Sequence, residues 1–170
     1  MNHHVISVMV ENKPGVLARI SSMFARRGFN IHSLAVGPTA DPGMSRMTLV
    51  VDGPEMEQII KQLYKLVHTV KVTELDPAES IEREVVLARV NADPARRGEM
   101  LEAASILKAE AVDVGATTVT FELSGSPSRI ADFLELMRPY GIVDLVKSGR
   151  IAMSKSPKTR EGRKGRLRSA

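Results

Sequence analysis

The stretch Glu11-Asn12-Lys13-Pro14-Gly15-Val16-Leu17 places polar and small residues where a β-branched run gives way to helical spacing. A helix N-terminus presents free backbone N–H groups and the positive end of the helix dipole, which together attract an anion. Pro14 suits the first helical turn, where its missing N–H has no partner to lose, and Gly15 lets a ligand carboxylate approach the backbone. Asn12 offers a carbonyl oxygen to a ligand ammonium, or it caps the helix. The stretch fits a small amino-acid zwitterion, with an ordinary capped turn as the alternative.

Few other residues in the chain are suited to catalysis or metal binding. Cysteine is absent, and the four histidines are His3, His4, His32 and His68. In the sequence none of them is paired with an acidic residue or a second histidine at the spacing of metal ligands. The glycine patterns of phosphate-binding loops and of serine hydrolases are also missing. We therefore expect neither a catalytic residue nor a metal ligand.

The composition indicates a globular protein with a basic end. The 170 residues are 43% hydrophobic and 26% charged, and no apolar run approaches the roughly 18 residues that span a bilayer. The N-terminus carries no export signal, so we expect a cytoplasmic protein. Residues 155–170 have a net charge of +6, and since the whole chain has +4, residues 1–154 have −2. We expect this tail to be disordered, with contact to an acidic surface or to nucleic acid as the alternative.

The anion-binding stretch lies in a unit of six predicted elements. Hydrophobic periodicity predicts strands at 5–10, 29–37, 46–52 and 67–75, and helices at 14–27 and from 53 onward. The order βαββαβ is that of a ferredoxin-like domain, a four-stranded antiparallel sheet with both helices on one face. The other face carries Val and Ile side chains, so we expect a second domain or another protomer to cover it.

The same order recurs after a polar segment. Strands are predicted at 85–91, 111–114, 117–124 and 142–147, and helices at 94–109 and from 126 onward. We therefore predict an α+β protein of two ferredoxin-like βαββαβ domains, residues 1–76 and 84–154, joined by a linker at 77–83. Ala92 and Ala95 stand in the second unit where the first has Asn12 and Gly15. The anion site is predicted in the first domain alone.

Long parts of the chain resemble one family. Residues 5–53, VISVMVENKPGVLARISSMFARRGFNIHSLAVGPTADPGMSRMTLVVDG, are similar to the ACT domain of acetolactate synthase small subunits, above all in ENKPGVLARI, SLAVGPT and SRMT. The similarity continues through Glu82-Arg83-Glu84 and the run from VDVGATTVTF to GRIAMSK, and spans roughly residues 3–155. This resemblance implies an N-terminal ACT domain followed by an ACT-like C-terminal domain.

The resemblance also implies where an effector binds. In this family the ACT domains pair side by side through their second strands into an eight-stranded sheet, and an amino acid sits in the seam. Carried over to this chain, the site contains Asn12, Gly15, Val16 and Leu17 of one protomer and Asn30 and Ile31 of its partner. The pocket for the effector's side chain is expected to be lined by aliphatic groups such as Leu17 and Val36.

The function that the resemblance implies is regulation without catalysis. Such a chain binds valine, activates a separate catalytic subunit of acetolactate synthase and confers feedback inhibition in branched-chain amino acid biosynthesis. It is expected to hold no cofactor itself, and thiamine diphosphate, Mg²⁺ and FAD belong to the catalytic partner.

Two other function classes were weighed. An RNA-binding module of the RRM type has the same βαββαβ order, but it stacks bases on aromatic residues of its central strands. The predicted strands VISVMV and RMTLVVD contain no aromatic residue, and the whole chain is 4% aromatic. An independent small-molecule enzyme is opposed by the lack of a nucleophile, a metal site and an acid–base pair. Nucleic acid and membrane partners are therefore not expected.

Overall fold

The first unit is a four-stranded antiparallel sheet with two helices. The computed structural model describes residues 3–52 and 56–156. The elements of this unit are β1 (His3–Glu11), α1 (Val16–Arg26), β2 (Ile31–Pro38), β3 (Met44–Asp52), α2 (Met56–Tyr64) and β4 (Thr69–Leu75). The strand order is β2-β3-β1-β4. The predicted order of elements is confirmed.

The second unit repeats this architecture. Its elements are β5 (Ser80–Asn91), α3 (Arg97–Ile106), β6 (Glu110–Val114), β7 (Thr118–Gly125), α4 (Pro127–Met137), β8 (Ile142–Lys147) and β9 (Ile151–Ser154). The strand order is β6-β7-β5-β8, with β9 paired to the start of β5. The α+β fold of two ferredoxin-like domains is therefore confirmed. Within the described ranges, no helix has both the length and the apolarity needed to cross a membrane.

Each unit has its own core between the sheet and its helices. In α1 the buried residues Val16, Ile20 and Phe24 follow each other at four-residue spacing, which places them on one helical face. On β1 the alternate residues Ile6 and Val8 point into the same core. In the second unit the rings of Phe121 and Phe133 meet edge to face, with centroids 6.1 Å apart. The four-residue spacing of apolar residues in helices and their alternation in strands therefore determine which face of each element is buried.

Some predicted boundaries differ from the structure. The helix predicted at 94–109 is shorter, Arg97–Ile106, because the Asp93 carboxylate accepts a hydrogen bond from the Ala95 N–H at 3.0 Å and holds the preceding residues in a turn. The segment predicted as a linker, 77–83, contains a 3₁₀ turn followed by the first four residues of β5. The division of the chain into domains at 1–76 and 84–154, with a linker at 77–83, stays a prediction. The predicted start of the second helix at 53 and most of the basic tail, 157–170, lie outside the described residues.

β9 was not predicted, and it connects the two units. It pairs antiparallel with the first four residues of β5, from Ser80 opposite Ser154 to Arg83 opposite Ile151. Ala152 of this strand is buried against Val5, Val50 and Leu75 on the sheet face away from the first unit's helices. The expectation that this face needs a cover is confirmed, and the second unit of the same chain contributes that cover.

Polar contacts reinforce the junction beside β9. The Arg150 N–H donates a hydrogen bond to Ser33 Oγ at 2.9 Å, and the Arg150 guanidinium lies 2.9 Å from the Glu82 carboxylate. Both of these charged side chains are largely shielded from solvent. A partly buried ion pair contributes little net stability, because desolvation of the two charges offsets their attraction, but it restricts the geometry of the junction. The second unit is therefore held in a defined position against β2.

Candidate effector site

The turn between β1 and α1 leaves the start of the helix open. Gly15 has φ +83°, a left-handed conformation that glycine adopts without strain, and it is the N-cap residue of α1. Among the described residues, no side chain caps this helix. The Asn12 N–H donates a hydrogen bond to the Gly43 carbonyl at 2.6 Å, and the Asn12 side chain is exposed. Asn12 therefore does not cap α1 through its side chain.

The side chains next to this turn divide into buried and exposed groups. Val16 is buried in the core, and its N–H donates a hydrogen bond to the Lys13 carbonyl at 3.4 Å. Leu17 in the first turn of α1 is 42% exposed, and Val36 on β2 is 47% exposed. Val36 lies opposite Met47 in the strand register and therefore shares the helix side of the sheet with it. Aliphatic surface thus accompanies the open backbone groups at this end of the domain.

The negative charge of Glu11, the last residue of β1 before the turn, is balanced by Lys13. Glu11 lies 2.5 Å from the Lys13 ammonium and 3.0 Å from Nδ1 of His68. The hydrogen bond from Lys13 lowers the pKa of Glu11, partial desolvation opposes this, and His68 adds to the lowering. Glu11 stays ionised at neutral pH. Because Lys13 pairs with it, its charge opposes an approaching carboxylate only weakly.

Replacing Lys13 with Met should raise the pKa of Glu11 toward the ordinary value of a glutamate. The lowered pKa means that the Lys13–Glu11 contact stabilises the folded chain above the unfolded pKa of glutamate, and that this contribution is lost as the pH falls through the folded pKa. An NMR titration of the Glu11 carboxyl carbon measures the shift. The matched control Lys61→Met should leave Glu11 unchanged and raise the pKa of Glu57 instead. An unchanged Glu11 in Lys13→Met would contradict the assignment.

Asn30 and Ile31 lie at the opposite end of the sheet. Glu11 pairs with Met44 at one end of β3, and Ile31 pairs with Val51 at the other. At about 3.3 Å per residue the two ends are roughly 25 Å apart. Within one chain the structure brings together Asn12 and the residues from Gly15 to Leu17, but it does not bring Asn30 and Ile31 to them.

The strand that carries Ile31 has a free edge. β2 is the outermost strand of its sheet, and in the described part of the chain no strand pairs with its outer side. An unpaired edge presents a row of N–H and C=O groups that can accept another strand.

Sequence reasoning missed a cluster of titratable side chains. Nδ1 of His3 lies 2.5 Å from Oδ1 of Asp52, and the rings of His3 and His32 have centroids 4.6 Å apart. The absence of metal-ligand spacing in the sequence therefore did not exclude a contact between His3 and Asp52 in the fold. The three residues come from three strands, so the pairing depends on sheet register. The signal in the sequence was that His3 begins the first strand and Asp52 ends the strand antiparallel to it.

The structure does not favour the RNA-binding alternative. An RRM displays aromatic residues on the sheet face away from its helices. On that face of β1 and β3 the side chains include Ser7, Thr48 and Val50, and part of the face is covered by Ala152. No stacking platform is present on these two strands.

Comparison with known proteins agrees with the geometry of both units. A family profile described as the AHAS small subunit-like ACT domain matches residues 6–71, and a second, described as the small subunit of acetolactate synthase, matches residues 83–156. A probable acetolactate synthase small subunit of Archaeoglobus fulgidus is 48% identical over 157 residues, 91% of this chain and 98% of that protein. The acetolactate synthase small subunit of Mycolicibacterium smegmatis is 47% identical over 158 residues, 91% of this chain and 92% of that protein.

A solved structure extends the similarity to three dimensions. The crystal structure of the acetolactate synthase small subunit from Thermotoga maritima has a TM-score of 0.83 and 36% identity, and the match covers 92% of this chain and 99% of that one. Similarity at this level spans both units and the junction between them. The chain belongs to the family of acetolactate synthase small subunits, with an ACT domain as its N-terminal unit.

Proposed function

We propose that this chain is the non-catalytic regulatory subunit of acetolactate synthase and that it binds valine at the β1–α1 turn. The observation that carries the proposal is the uncapped start of α1 at Gly15, beside the exposed aliphatic side chains Leu17 and Val36. The free N–H groups and the helix dipole suit the valine carboxylate, and Asn12 suits its ammonium group. Membership of the small-subunit family supports this assignment.

The complete site requires two chains. If two β2 edges pair antiparallel about a two-fold axis, the start of one β2 lies beside the end of the other. Asn30 and Ile31 of one protomer then approach the β1–α1 turn of its partner, which they do not approach in their own chain. The free edge of β2 supports this pairing.

Valine bound at the interface between two protomers can regulate the protein by changing the state of that interface. A ligand shifts an equilibrium between two interface states only by its different affinity for each state. Valine held between two protomers contacts both sides of the interface, so it favours the arrangement in which both sides fit it. One additional methylene in an aliphatic pocket changes the binding free energy by about 1–3 kcal/mol. Leucine and isoleucine each have one methylene more than valine, so they are expected to act as weaker effectors.

The regulated reaction belongs to another chain. We infer a cytoplasmic complex with a catalytic subunit that carries thiamine diphosphate, Mg²⁺ and FAD, and this chain binds none of the three. It activates that subunit and transmits feedback inhibition in branched-chain amino acid biosynthesis. The similarity to proteins named small subunits supports a larger partner.

Thermal unfolding of the full chain with and without valine tests the proposal. A ligand that binds only the folded state raises the midpoint, by an amount equivalent to about 2.7 kcal/mol at a hundred times its Kd. Valine should raise the midpoint and inhibit the reconstituted complex, while alanine and poly-U RNA should do neither. A midpoint raised by the RNA and not by valine would favour the RNA-binding alternative and overturn this one.

A further inference from the structure

Three metal-binding side chains meet at the end of the first sheet where β1 and β2 begin and β3 ends. His3, His32 and Asp52 each offer one donor atom, and these atoms all lie within 4.8 Å of one another. His3 and Asp52 are direct cross-strand partners, and His32 sits at the irregularity between Ile31 and Ser33 in the pairing of β2 with β3. The register of three adjacent strands therefore determines the position of every donor.

The spacing is close to that of a coordinated ion. In a tetrahedral zinc site the bonds are about 2.0 to 2.1 Å long, which separates the donor atoms by about 3.3 Å. His3 and Asp52 are already 2.5 Å apart, and the rings of His3 and His32 lie side by side at 4.6 Å. His3 and His32 are exposed, so their imidazoles have room to rotate toward a common centre with Asp52.

The electrostatics of the cluster favour a cation. Asp52 is the one carboxylate of the cluster, and its Oδ1 lies 2.5 Å from Nδ1 of His3. An ionised carboxylate and two imidazoles are a donor set that binds divalent transition metals. His32 also lines a cavity of about 260 Å³ with Ser33 and Gly149.

We propose that His3, His32 and Asp52 form a binding site for a divalent transition-metal ion of the Zn²⁺ class. Two nitrogen donors and one carboxylate oxygen bind the ion, and water completes its coordination. The bound ion links β1, β2 and β3 at the end of the sheet where β2 begins. None of its three residues belongs to the proposed effector site, although His32 is next to Ile31 in β2 and the Asp52 N–H donates a hydrogen bond to the Asn30 carbonyl at 3.4 Å.

Titration of the full, untagged chain with Zn²⁺ by calorimetry tests the site, together with the visible absorption of Co²⁺ in a four-coordinate environment. We expect one ion per chain with a Kd tighter than about 100 µM, and a loss of at least about tenfold in affinity in both His32→Gln and Asp52→Asn. Zn²⁺ should also raise the thermal midpoint of the unaltered chain and not that of His32→Gln. His32 is exposed, so this variant is expected to fold.

The matched control is His4→Gln. His4 is next to His3 in sequence, but it pairs with Glu74 at 2.8 Å instead of with the cluster. Its substitution should change the affinity for Zn²⁺ less than twofold, roughly the scatter between independent sites. Absence of binding, or binding that persists unchanged in His32→Gln, would overturn the proposal, as would an equal loss in His4→Gln.

Discussion

Gly15→Asp is expected to weaken valine binding at least about a hundredfold and to abolish feedback inhibition, while activation of the catalytic chain is retained. The new carboxylate would stand at the position proposed for the valine carboxylate, and like charges about 4 Å apart repel by about 1 kcal/mol in water and about 4 kcal/mol near a protein surface. A Cβ at Gly15 meets no atom of the chain within 4 Å, so the side chain has room and the fold should survive. Calorimetry with valine and inhibition of the reconstituted complex measure the two effects.

The matched control Gly15→Asn separates charge from backbone strain. Gly15 has φ +83°, and Asn and Asp are the residues that tolerate this conformation best after glycine. The two variants therefore carry similar strain and similar volume, and they differ in charge. We expect Gly15→Asn to bind valine more tightly than Gly15→Asp by at least about tenfold. Equal binding in the two variants would show that no carboxylate approaches this turn.

Ala152→Asp is expected to lower the free energy of unfolding by about 3 kcal/mol or more. Ala152 is 7% exposed and packs against Val5, Val50 and Leu75, where a carboxylate would lose its hydration without gaining a partner. The cost should appear in chemical denaturation of the purified chain. Because this contact joins β9 to the first sheet, the variant also tests how the two units are held together.

The control for this prediction is Met153→Asp. Met153 is the next residue of β9, and at 54% exposure its side chain keeps contact with water. Changes at exposed positions without special contacts usually stay within about 0.5 kcal/mol. Comparable losses in the two variants would mean that β9 itself, and not the buried cluster, determines the effect.

The fold was predictable because both units follow simple periodicities. Alternation in β1 and four-residue spacing in α1 place the buried side chains correctly, and the repeat after residue 80 predicts a second copy. β9 could not be predicted in the same way. Its four residues IAMS are too short a run to show a periodicity, and they are a strand because β5 extends beyond its own sheet and offers them an edge.

The site was predictable to the extent that it is local. Asn12 to Leu17 are consecutive, so their residue types indicate a turn that begins a helix, either capped by Asn12 or open to a ligand, and the structure shows the turn without the Asn12 cap. The cluster of His3, His32 and Asp52 is not local, because it depends on the register of three strands. Sequence spacing carries no direct information about such register, which is determined by turns and by the buried face of each strand.

The most direct test of the central claim is whether valine sites form between chains. Mixing Gly15→Asp chains with Asn30→Ala chains yields hybrid dimers, and neither variant alone should bind valine at a concentration that saturates the unaltered chain. If each site uses the turn of one chain and Asn30 of the other, every hybrid dimer contains one unaltered site, and a random equal mixture should recover about a quarter of the normal capacity. Recovery of that capacity after mixing is the result we predict. No recovery in a mixture shown to contain hybrid dimers would place each site within a single chain and contradict the account.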